Sequence, residues 1–397
     1  VYSVFNNIFL GYGLTLSLIL FSLVGLKRDK SLKDLIKLYI FESKRSLPII
    51  HILLLISVLI STWLCCGTIP SIVYYSLKYI NPNLFILFCF LISAITSFLI
   101  GTSFGTVSSI GIPLVIIAQA SNLNLNIVGG AIMSGAYFGD RCSPLSSSLL
   151  LLCNLTKVEL FNYVKKVFIF GIIPTIISIL FYLFFSLKNP LTFVDNSLSL
   201  ALFDNFHINV FLLIPAIIIV ILSLKKVPIT KSITFSIVAA ILISLIVQKT
   251  NFYGLFKYMI FGYETSSSLS SIIKGGGIIS MLKTCYIIII SCCLTGFFSG
   301  LNIFYNFKKS LEKITLNRSN LFIITLVLGL IVAAIGCSQT IAFILTLEIL
   351  RDTYKNYENE DIAMEFSNSA IVTSALIPWC IAALVPTSVL SISNYPF

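Results

Sequence analysis

Residues 167–187 read VFIFGIIPTIISILFYLFFSL, an apolar run in which no side chain carries a charge. A helix needs about 20 apolar residues to cross the hydrocarbon core of a bilayer. Lipid offers no hydrogen-bond partner to backbone N–H and C=O groups, so a run of this kind must satisfy them internally, as a helix does. The run therefore predicts a membrane-spanning helix.

Comparable apolar runs recur along the whole chain. Of its 397 residues, 57% are apolar and only 10% are charged, and the mean hydropathy is +1.02, whereas soluble domains carry about 25% charged residues. The runs are continuous rather than alternating, which excludes barrel strands. We therefore predict an all-α, polytopic transmembrane protein with about ten crossings, formed by residues 4–26, 47–66, 83–100, 128–153, 167–187, 210–224, 232–247, 278–301 and 321–336 and by two shorter pieces, 341–350 and 370–390.

The net charge of +11 comes from basic residues in the loops between these runs. Lys and Arg in short loops mark the cytoplasmic side of a membrane, so the clusters at 27–45 and 308–318 are expected inside the cell. This distribution does not indicate a nucleic-acid partner. It indicates a multi-pass protein of the bacterial inner (plasma) membrane, with the lipid bilayer as its surroundings and a first helix that is retained rather than cleaved as a signal peptide.

The cysteines and histidines give no sign of a metal centre. All ten cysteines lie inside or at the edges of apolar runs, where they are expected to act as small packing residues. His51, expected to be packed or interfacial, and His207 are far apart, so we predict no metal other than a transported cation. The sequence shows no cluster of a nucleophile and a base, or of several metal ligands, that would indicate an enzyme.

A weak internal repeat relates the two halves of the chain. Inverted repeats with discontinuous helices are the design of many secondary transporters, whose site lies near the bilayer midplane. If both basic clusters are cytoplasmic, corresponding helices here run in opposite directions; chance similarity of Gly, Ser and Cys is the alternative. The matching segments are 63–68 with 291–296, 101–106 with 336–340, and 134–144 with 367–378. The predicted division is 1–26 (N-terminal helix), 27–166 (first repeat), 167–248 (connecting helices) and 249–397 (second, inverted repeat).

Residues 101–113 combine Gly and Pro with a cluster of hydroxyl side chains. Gly and Pro disfavour a continuous helix, and a broken helix must bury its free backbone groups in protein or line a wet cavity. Carbonyl oxygens of such unwound backbone coordinate Na⁺ in transporters, and hydroxyl oxygens are equally suitable ligands. We interpret the segment as part of an ion site, with close packing of small residues as the alternative.

Asp140 is an acidic residue embedded between two long apolar pieces. A charge at the bilayer centre costs about 2.5–3.5 kcal/mol on insertion scales, so an intramembrane Asp is a functional candidate. Desolvation favours its neutral form and bound Na⁺ its ionised form, which lets sodium and protons compete for one site. The alternative is that Asp140 pairs with a neighbouring basic residue and only fixes a helix end. The adjacent Arg141 is a candidate for that partner, or for a group that receives a substrate carboxylate.

The second half offers neutral oxygens rather than embedded acids. Glu348 and Glu365 flank the polar segment 351–361 and are expected at solvated helix ends. The residues predicted to bind ion or substrate are Thr102, Ser103, Thr106, Asp140, Arg141, Ser143, Ser338, Gln339, Asn368 and Thr373. The predicted structural breaks are Gly67, Pro70, Gly101, Gly105, Pro144, Gly336 and Pro378.

In these motifs the chain resembles the NhaC family of Na⁺/H⁺ antiporters, within the wider ion-transporter superfamily. The resemblance extends over 25–396 and is carried by Gly67-Thr68-Ile69-Pro70 with Tyr74-Tyr75, by residues 101–106 and 138–144, by Gly275-Gly276 before Met281, and by Leu376-Ile377-Pro378-Trp379. It implies a cation antiporter, in a family that also includes exchangers coupling ions to carboxylates such as malate and lactate. It also implies a further helix before the first run and another after residue 396.

Three positions depart from the family pattern. Arg141 stands where many members carry His, Ser147 where they carry Asp, and Ser367-Asn368 where they carry Glu-Asp. The loss of these acids leaves open a different ion stoichiometry or a different solute for this chain.

The sequence thus predicts a secondary active transporter that exchanges Na⁺ for H⁺ by alternating access, with no cofactor besides the transported ions. The alternative is a sodium-coupled carrier or exchanger of an organic anion or amino acid, in which Arg141 binds the small carboxylate. A passive channel is a further alternative, and a homodimer is compatible with the sequence.

Overall fold

The structure, a computed structural model, describes residues 9–27, 31–79, 81–144, 146–191, 203, 205–225, 227–264, 274–300 and 317–392. Within these residues the chain is almost entirely helical, as predicted. Its β structure there is one short antiparallel pair, β1 (Tyr263–Glu264) with β2 (Lys274–Gly275).

The helices of the described residues are named here in chain order. They are α1 (Leu10–Lys27), α2 (Leu32–Cys65), α3 (Thr68–Tyr79), α4 (Phe85–Ile100), α5 (Ser103–Ala120), α6 (Leu125–Cys142), α7 (Ser147–Thr156), α8 (Leu160–Lys188), α9 (Ile214–Leu224), α10 (Ile229–Ile246), α11 (Phe252–Phe261), α12 (Leu282–Gly300), α13 (Arg318–Gly336), α14 (Gln339–Leu350), α15 (Asn359–Phe366) and α16 (Ile381–Leu390).

Length and apolar composition confirm a polytopic membrane protein. Among the described residues, six helical segments can cross a bilayer alone: Ser46–Cys65, Pro82–Ile100, Ser103–Ala120, Leu160–Lys188, Ile229–Ile246 and Arg318–Gly336. A seventh span results if Asn359–Leu376 and Ile381–Leu390, which are bent by 47° at a short break, count as one. Shorter apolar helices at 11–27, 210–222, 278–294 and 339–350 correspond to four more of the predicted runs.

The chain folds into two compact units, each assembled from both halves of the sequence. We call one the Asp140 unit (52–149, 164–282 and 386–397) and the other the Glu365 unit (1–51, 150–163 and 283–385).

In the Asp140 unit, small residues let α6 approach the backbone of α4. A Cβ added at Gly135 would lie 2.9 Å from the backbone nitrogen of Ala94, and one at Gly139 would lie 2.6 Å from the Ala94 carbonyl oxygen. The Ser97 hydroxyl donates across the same interface to the Ala136 carbonyl. This close parallel packing brings the last turn of α6 beside the end of α4.

Two of the predicted interruptions are wrong. Gly105 lies inside the first turn of α5, and residues 103–120 form one helical segment with a π-helical stretch at Val107–Gly111. The reason is a cap, because the Thr102 hydroxyl accepts the Gly105 N–H and starts the helix before that glycine. The segment 291–296, which the repeat pairs with the interruption at 63–68 and so predicts to be interrupted as well, is likewise not a break, since it lies within α12.

Candidate functional site

The chain changes direction between α4 and α5 at Gly101 and Thr102. Gly101 ends α4 in the left-handed region (φ 75°, ψ 18°), and its N–H donates to the Ser97 carbonyl at 2.7 Å. Glycine takes this conformation without steric cost, as is usual for a residue that closes a helix. Thr102 is extended (φ −144°, ψ 130°) and caps α5, whose first residue is Ser103. The N-terminus of a long apolar helix, with its free N–H groups, is thereby placed at the break.

Asp140 lies in the last turn of α6 and faces this break. The Ser103 hydroxyl donates to Asp140 Oδ2 at 3.3 Å. Ser146, which follows the interruption between α6 and α7, also reaches the carboxylate with its side chain. The partial positive charge of a helix N-terminus favours an anion beside it, so the start of α5 is suited to hold the Asp140 carboxylate.

The other predicted ligands of the first half surround the same break. Thr106 is fully buried, and its hydroxyl donates to the Thr102 carbonyl at 3.0 Å. Ser143 is buried and extended immediately before Pro144, while Arg141 lies partly buried and has a bonding partner. A hydroxyl that donates to a backbone carbonyl keeps its oxygen lone pairs free for a cation. Carboxylate and hydroxyl oxygens therefore converge in this part of the Asp140 unit.

Beyond the first turn of α5, the π-helical stretch Val107–Gly111 contains two serines whose hydroxyls bond to the backbone of the preceding turn. Ser108 donates to the Phe104 carbonyl at 2.8 Å, and Ser109 to the Gly105 carbonyl at 2.7 Å. Single π-helical turns inside α-helices are frequent at functional sites. The stretch thus adds polar oxygens to the helix that starts beside Asp140.

The second half has a break of the same kind, in the Glu365 unit. Helix α13 ends at Gly336, Cys337 is left-handed (φ 52°), and Ser338 is extended before α14 begins at Gln339. The Gln339 side-chain amide donates to the Ile371 carbonyl at 3.1 Å. Gln339 therefore links this break to the discontinuous helix that follows.

Asn368 and Thr373 lie on that discontinuous helix. Residues Ser367–Ile371 form a π-helical stretch directly after α15, Asn368 within it is partly buried, and the Thr373 hydroxyl donates to the Ser369 carbonyl at 2.8 Å. Pro378 lies in the interruption before α16, where Trp379 Nε1 donates to the Ala334 carbonyl at 2.7 Å. The predicted ligands of the second half thus lie close to two interruptions within one unit.

The remaining predicted break positions lie at the start of α3. Gly67 separates α2 from α3 with a positive φ of 86°, and Pro70 lies in the first turn of α3, where the missing N–H of proline costs no helical hydrogen bond.

Burial corrects one prediction for the acidic residues and supports another. Glu348 is exposed, as expected for a solvated helix end. The same expectation for Glu365 is wrong, because only 7% of this residue is exposed and its carboxylate accepts hydrogen bonds from Tyr354 and Arg318. A signal for this contact is present in the sequence. Asp361 and Glu365 have the i, i+4 spacing that puts both carboxylates on one helix face, where a single Arg can meet them.

The cysteines behave as predicted. All ten are buried and none forms a disulfide, which agrees with a packing role. In the part of the chain that the structure describes, no three His, Cys, Asp or Glu side chains come together as a metal site.

A polytopic helical protein whose broken helices carry a carboxylate and hydroxyls inside the membrane is a secondary transporter. The profile of the Na⁺/H⁺ antiporter family matches residues 3–187 and 135–395. The chain belongs to this family, and it is a multi-pass protein of the bacterial plasma membrane.

Characterised relatives differ in the solutes that their names give. The malate-2H⁺/Na⁺-lactate antiporter of Bacillus subtilis (strain 168) is 26% identical over 409 residues, covering 100% of this chain and 86% of the relative. The Na⁺/H⁺ antiporter NhaC of Alkalihalophilus pseudofirmus is 24% identical, covering 86% of this chain and 76% of the relative. The arginine/ornithine antiporter ArcD of Halobacterium salinarum is 25% identical, covering 83% and 70%.

Proposed function

We propose that this transporter exchanges Na⁺ for H⁺ by alternating access, and that Asp140 is the carboxylate on which the two cations compete. The observation that carries the proposal is the contact between Asp140 Oδ2 and the Ser103 hydroxyl at the Gly101 break. Na⁺ takes the ionised carboxylate together with hydroxyl oxygens, and protonation of Asp140 removes the charge that holds Na⁺. One site that binds either cation, but not both, couples their movements in opposite directions.

Everted membrane vesicles test the exchange. Addition of Na⁺ to vesicles with an imposed pH gradient is expected to release the gradient in the wild-type protein and not in Asp140→Asn. Glu264→Gln is the matched control, because Glu264 is an exposed carboxylate of the same unit and its loss is expected to leave exchange intact. Exchange that survives in Asp140→Asn would remove Asp140 from the site.

Na⁺ binding provides a second measurement that does not depend on turnover. A ligand that binds only the folded state raises the free energy of unfolding by mass action. Na⁺ is therefore expected to raise the Tm of the purified wild-type protein and of Glu264→Gln, but not that of Asp140→Asn. If Na⁺ stabilises Asp140→Asn as strongly as the wild type, the ion binds elsewhere.

We also propose that the two broken-helix pairs belong to inverted repeats at 27–166 and 249–397. Support comes from the backbone, since a left-handed residue followed by an extended one interrupts the chain at Gly101-Thr102 and again at Cys337-Ser338. Cysteine accessibility from either side of the membrane, measured at single cysteines placed at Leu123 and Tyr357 of a cysteine-free protein, tests the opposite orientation: the two positions should react from opposite sides.

The second candidate function is sodium-coupled exchange of a small carboxylate or an amino acid. Arg141 favours it, because this residue adjoins Asp140 at the break and a guanidinium binds carboxylates in a bidentate manner. Arg141→Ala is then expected to abolish malate- or lactate-dependent flux while sparing cation exchange. Arg141→Lys, which keeps the charge but not the planar fork, should recover little of it. Equal Na⁺-driven flux with and without organic anions would exclude this function.

A further inference from the structure

Glu365 is a buried carboxylate that the proposed exchange at Asp140 does not use. The Tyr354 hydroxyl donates to its Oε2, and Arg318 Nε donates to its Oε1 at 3.3 Å. The Arg318 side chain is 58% exposed and forms its shorter ion pair, of 2.8 Å, with Asp361. Exposed ion pairs contribute little to stability, because water and salt screen them. Among the described residues, Glu365 therefore has no fully buried ion-pair partner that would lock it as an anion.

A chain of hydroxyl groups continues from Glu365 into the protein. The Tyr354 hydroxyl also bonds to Thr325 Oγ1 at 2.7 Å, and Thr325 Oγ1 donates to the Leu321 carbonyl at 2.8 Å. When Glu365 is ionised, Tyr354 donates to it and Thr325 donates to Tyr354. When Glu365 is protonated, it donates to Tyr354, Tyr354 donates to Thr325, and Thr325 donates to Leu321.

Both protonation states of Glu365 therefore leave every buried hydroxyl with a partner. This matters because a buried donor or acceptor without a partner destabilises the folded protein. A carboxylate that serves only as one half of a structural ion pair does not require a hydroxyl chain that can reverse its direction.

A cavity of about 380 Å³ in the Glu365 unit borders this chain. Tyr354 contributes to its wall, together with Lys157, Glu348, Arg351 and Asn359, all four of which are exposed. Burial raises the pKa of the Tyr354 hydroxyl, and its hydrogen bond to Glu365 raises the pKa further. Tyr354 thus keeps its own proton and can pass one on without storing charge.

We propose that Glu365 is a second proton-binding carboxyl of this transporter, loaded from the cavity through Tyr354. A hydronium ion in the cavity transfers a proton to the Tyr354 oxygen while the proton already on that oxygen moves to Glu365 Oε2. The products are water, an unchanged phenol and a neutral carboxyl group, so atoms and charge balance. The proposal rests on the proposed Na⁺/H⁺ exchange, because it adds a proton to the count of that exchange.

Within the part of the chain that the structure describes, the charged and titratable groups that contact Glu365 come from α13 and from the segment before α15. Arg318 approaches from α13, and Tyr354 approaches from the segment between α14 and α15. Tyr357 packs on the Tyr354 ring, and Asp361 acts on Glu365 through Arg318. Protonation removes the attraction between Glu365 and Arg318 and so loosens α15 from α13. The π-helical stretch that holds Asn368 begins two residues after Glu365, so proton loading acts directly on the entry to the discontinuous helix.

Infrared difference spectroscopy of the purified protein tests the proposal directly. Spectra recorded between acid and alkaline pH show a C=O band for each carboxyl that takes up a proton. Glu365→Gln is expected to lose one such band, and Asp140→Asn a different one. Tyr354→Phe keeps the aromatic ring, so it is expected to retain the Glu365 band and to shift it to higher frequency, because the hydrogen bond is lost.

The matched control is Glu348→Gln, since Glu348 is an exposed carboxyl on the wall of the same cavity. In proteoliposomes, Glu365→Gln and Tyr354→Phe should change the pH profile of Na⁺-driven proton flux, and Glu348→Gln should not. A Glu365→Gln spectrum identical to that of the wild type would overturn the proposal. If Glu365→Gln does not fold, an unshifted carboxyl band in Tyr354→Phe would overturn it instead. A Glu365 band in a protein without Na⁺-driven flux would instead overturn the proposed exchange alone.

Discussion

The Asp140 unit and the Glu365 unit interrupt their helices with nearly the same backbone. Thr102 in the first has φ −144° and ψ 130°, and Ser338 in the second has φ −141° and ψ 130°. Each follows a left-handed residue, Gly101 with φ 75° and Cys337 with φ 52°. The two regions therefore share one way of ending a helix inside an apolar protein and starting another.

The side chains at the second interruption of each unit differ. In the Asp140 unit, Asp140 precedes the extended residue Ser143 by three positions. In the Glu365 unit the residue three positions before the extended Ile377 is Ser374, whose hydroxyl donates to the Ile371 carbonyl at 2.7 Å. The two units thus share a backbone frame, and under the exchange proposed at Asp140 the acid placed in that frame decides whether it can hold a cation.

The largest expected effect comes from placing an acid in the second frame. Ser374→Asp puts a carboxylate at a site with 0% exposure, and an uncompensated buried charge costs about 3 kcal/mol or more. Ser374→Ala, which loses one hydrogen bond, should cost about 1 kcal/mol. Thermal unfolding of the purified proteins measures both. A Ser374→Asp protein with wild-type stability and a larger Na⁺-induced rise in Tm would mean that the two frames are interchangeable.

The next effect tests whether close helix packing positions Asp140. In Gly139→Ala the new Cβ would lie 2.6 Å from the Ala94 carbonyl oxygen, and such overpacking costs about 1–3 kcal/mol. We expect lower Tm and weaker Na⁺ binding, because Asp140 is the next residue. Gly254→Ala is the control, since no atom lies within 4 Å of its new Cβ and alanine gains up to about 1 kcal/mol in helix propensity. Equal effects of the two substitutions on Tm and Na⁺ binding would show that the close packing at Gly139 does not position Asp140.

The features that could be predicted from the sequence are those set by composition and by single residues. Continuous apolar runs specify membrane helices because lipid leaves the backbone no other partner. Gly101, Pro144 and Pro378 mark real interruptions because their own backbone preferences disfavour a continuing helix. Asp140 is visible as a candidate for the same reason, since an acid within an apolar run stands out by itself.

The features that escaped prediction depend on contacts that a residue's own type does not specify. Gly105 was expected to break a helix, yet a side-chain cap from Thr102 holds it in the first turn of α5. Cys337 rather than Gly336 takes the left-handed conformation, because Gly336 is still the last residue of α13. Glu365 is buried against Tyr354 and contacts Arg318, which lies 47 positions earlier, so the spacing of Asp361 and Glu365 indicates a basic partner without identifying it.

The smallest expected effect separates two residues with almost identical backbone angles. The Thr102 hydroxyl accepts the Gly105 N–H at 3.1 Å, whereas the Ser338 hydroxyl forms no cap hydrogen bond. Loss of an N-cap costs about 1 kcal/mol, so Thr102→Ala should lower the free energy of unfolding by that amount and Thr102→Ser should largely restore it. Ser338→Ala should change it by only a few tenths of a kcal/mol. Ser103, which contacts Asp140, lies in the turn that Thr102 caps. Thr102→Ala should therefore also weaken Na⁺ binding, by less than about tenfold. An equal cost at Ser338 would show that the cap does not distinguish the two interruptions, and the difference in their chemistry would then rest on Asp140 alone.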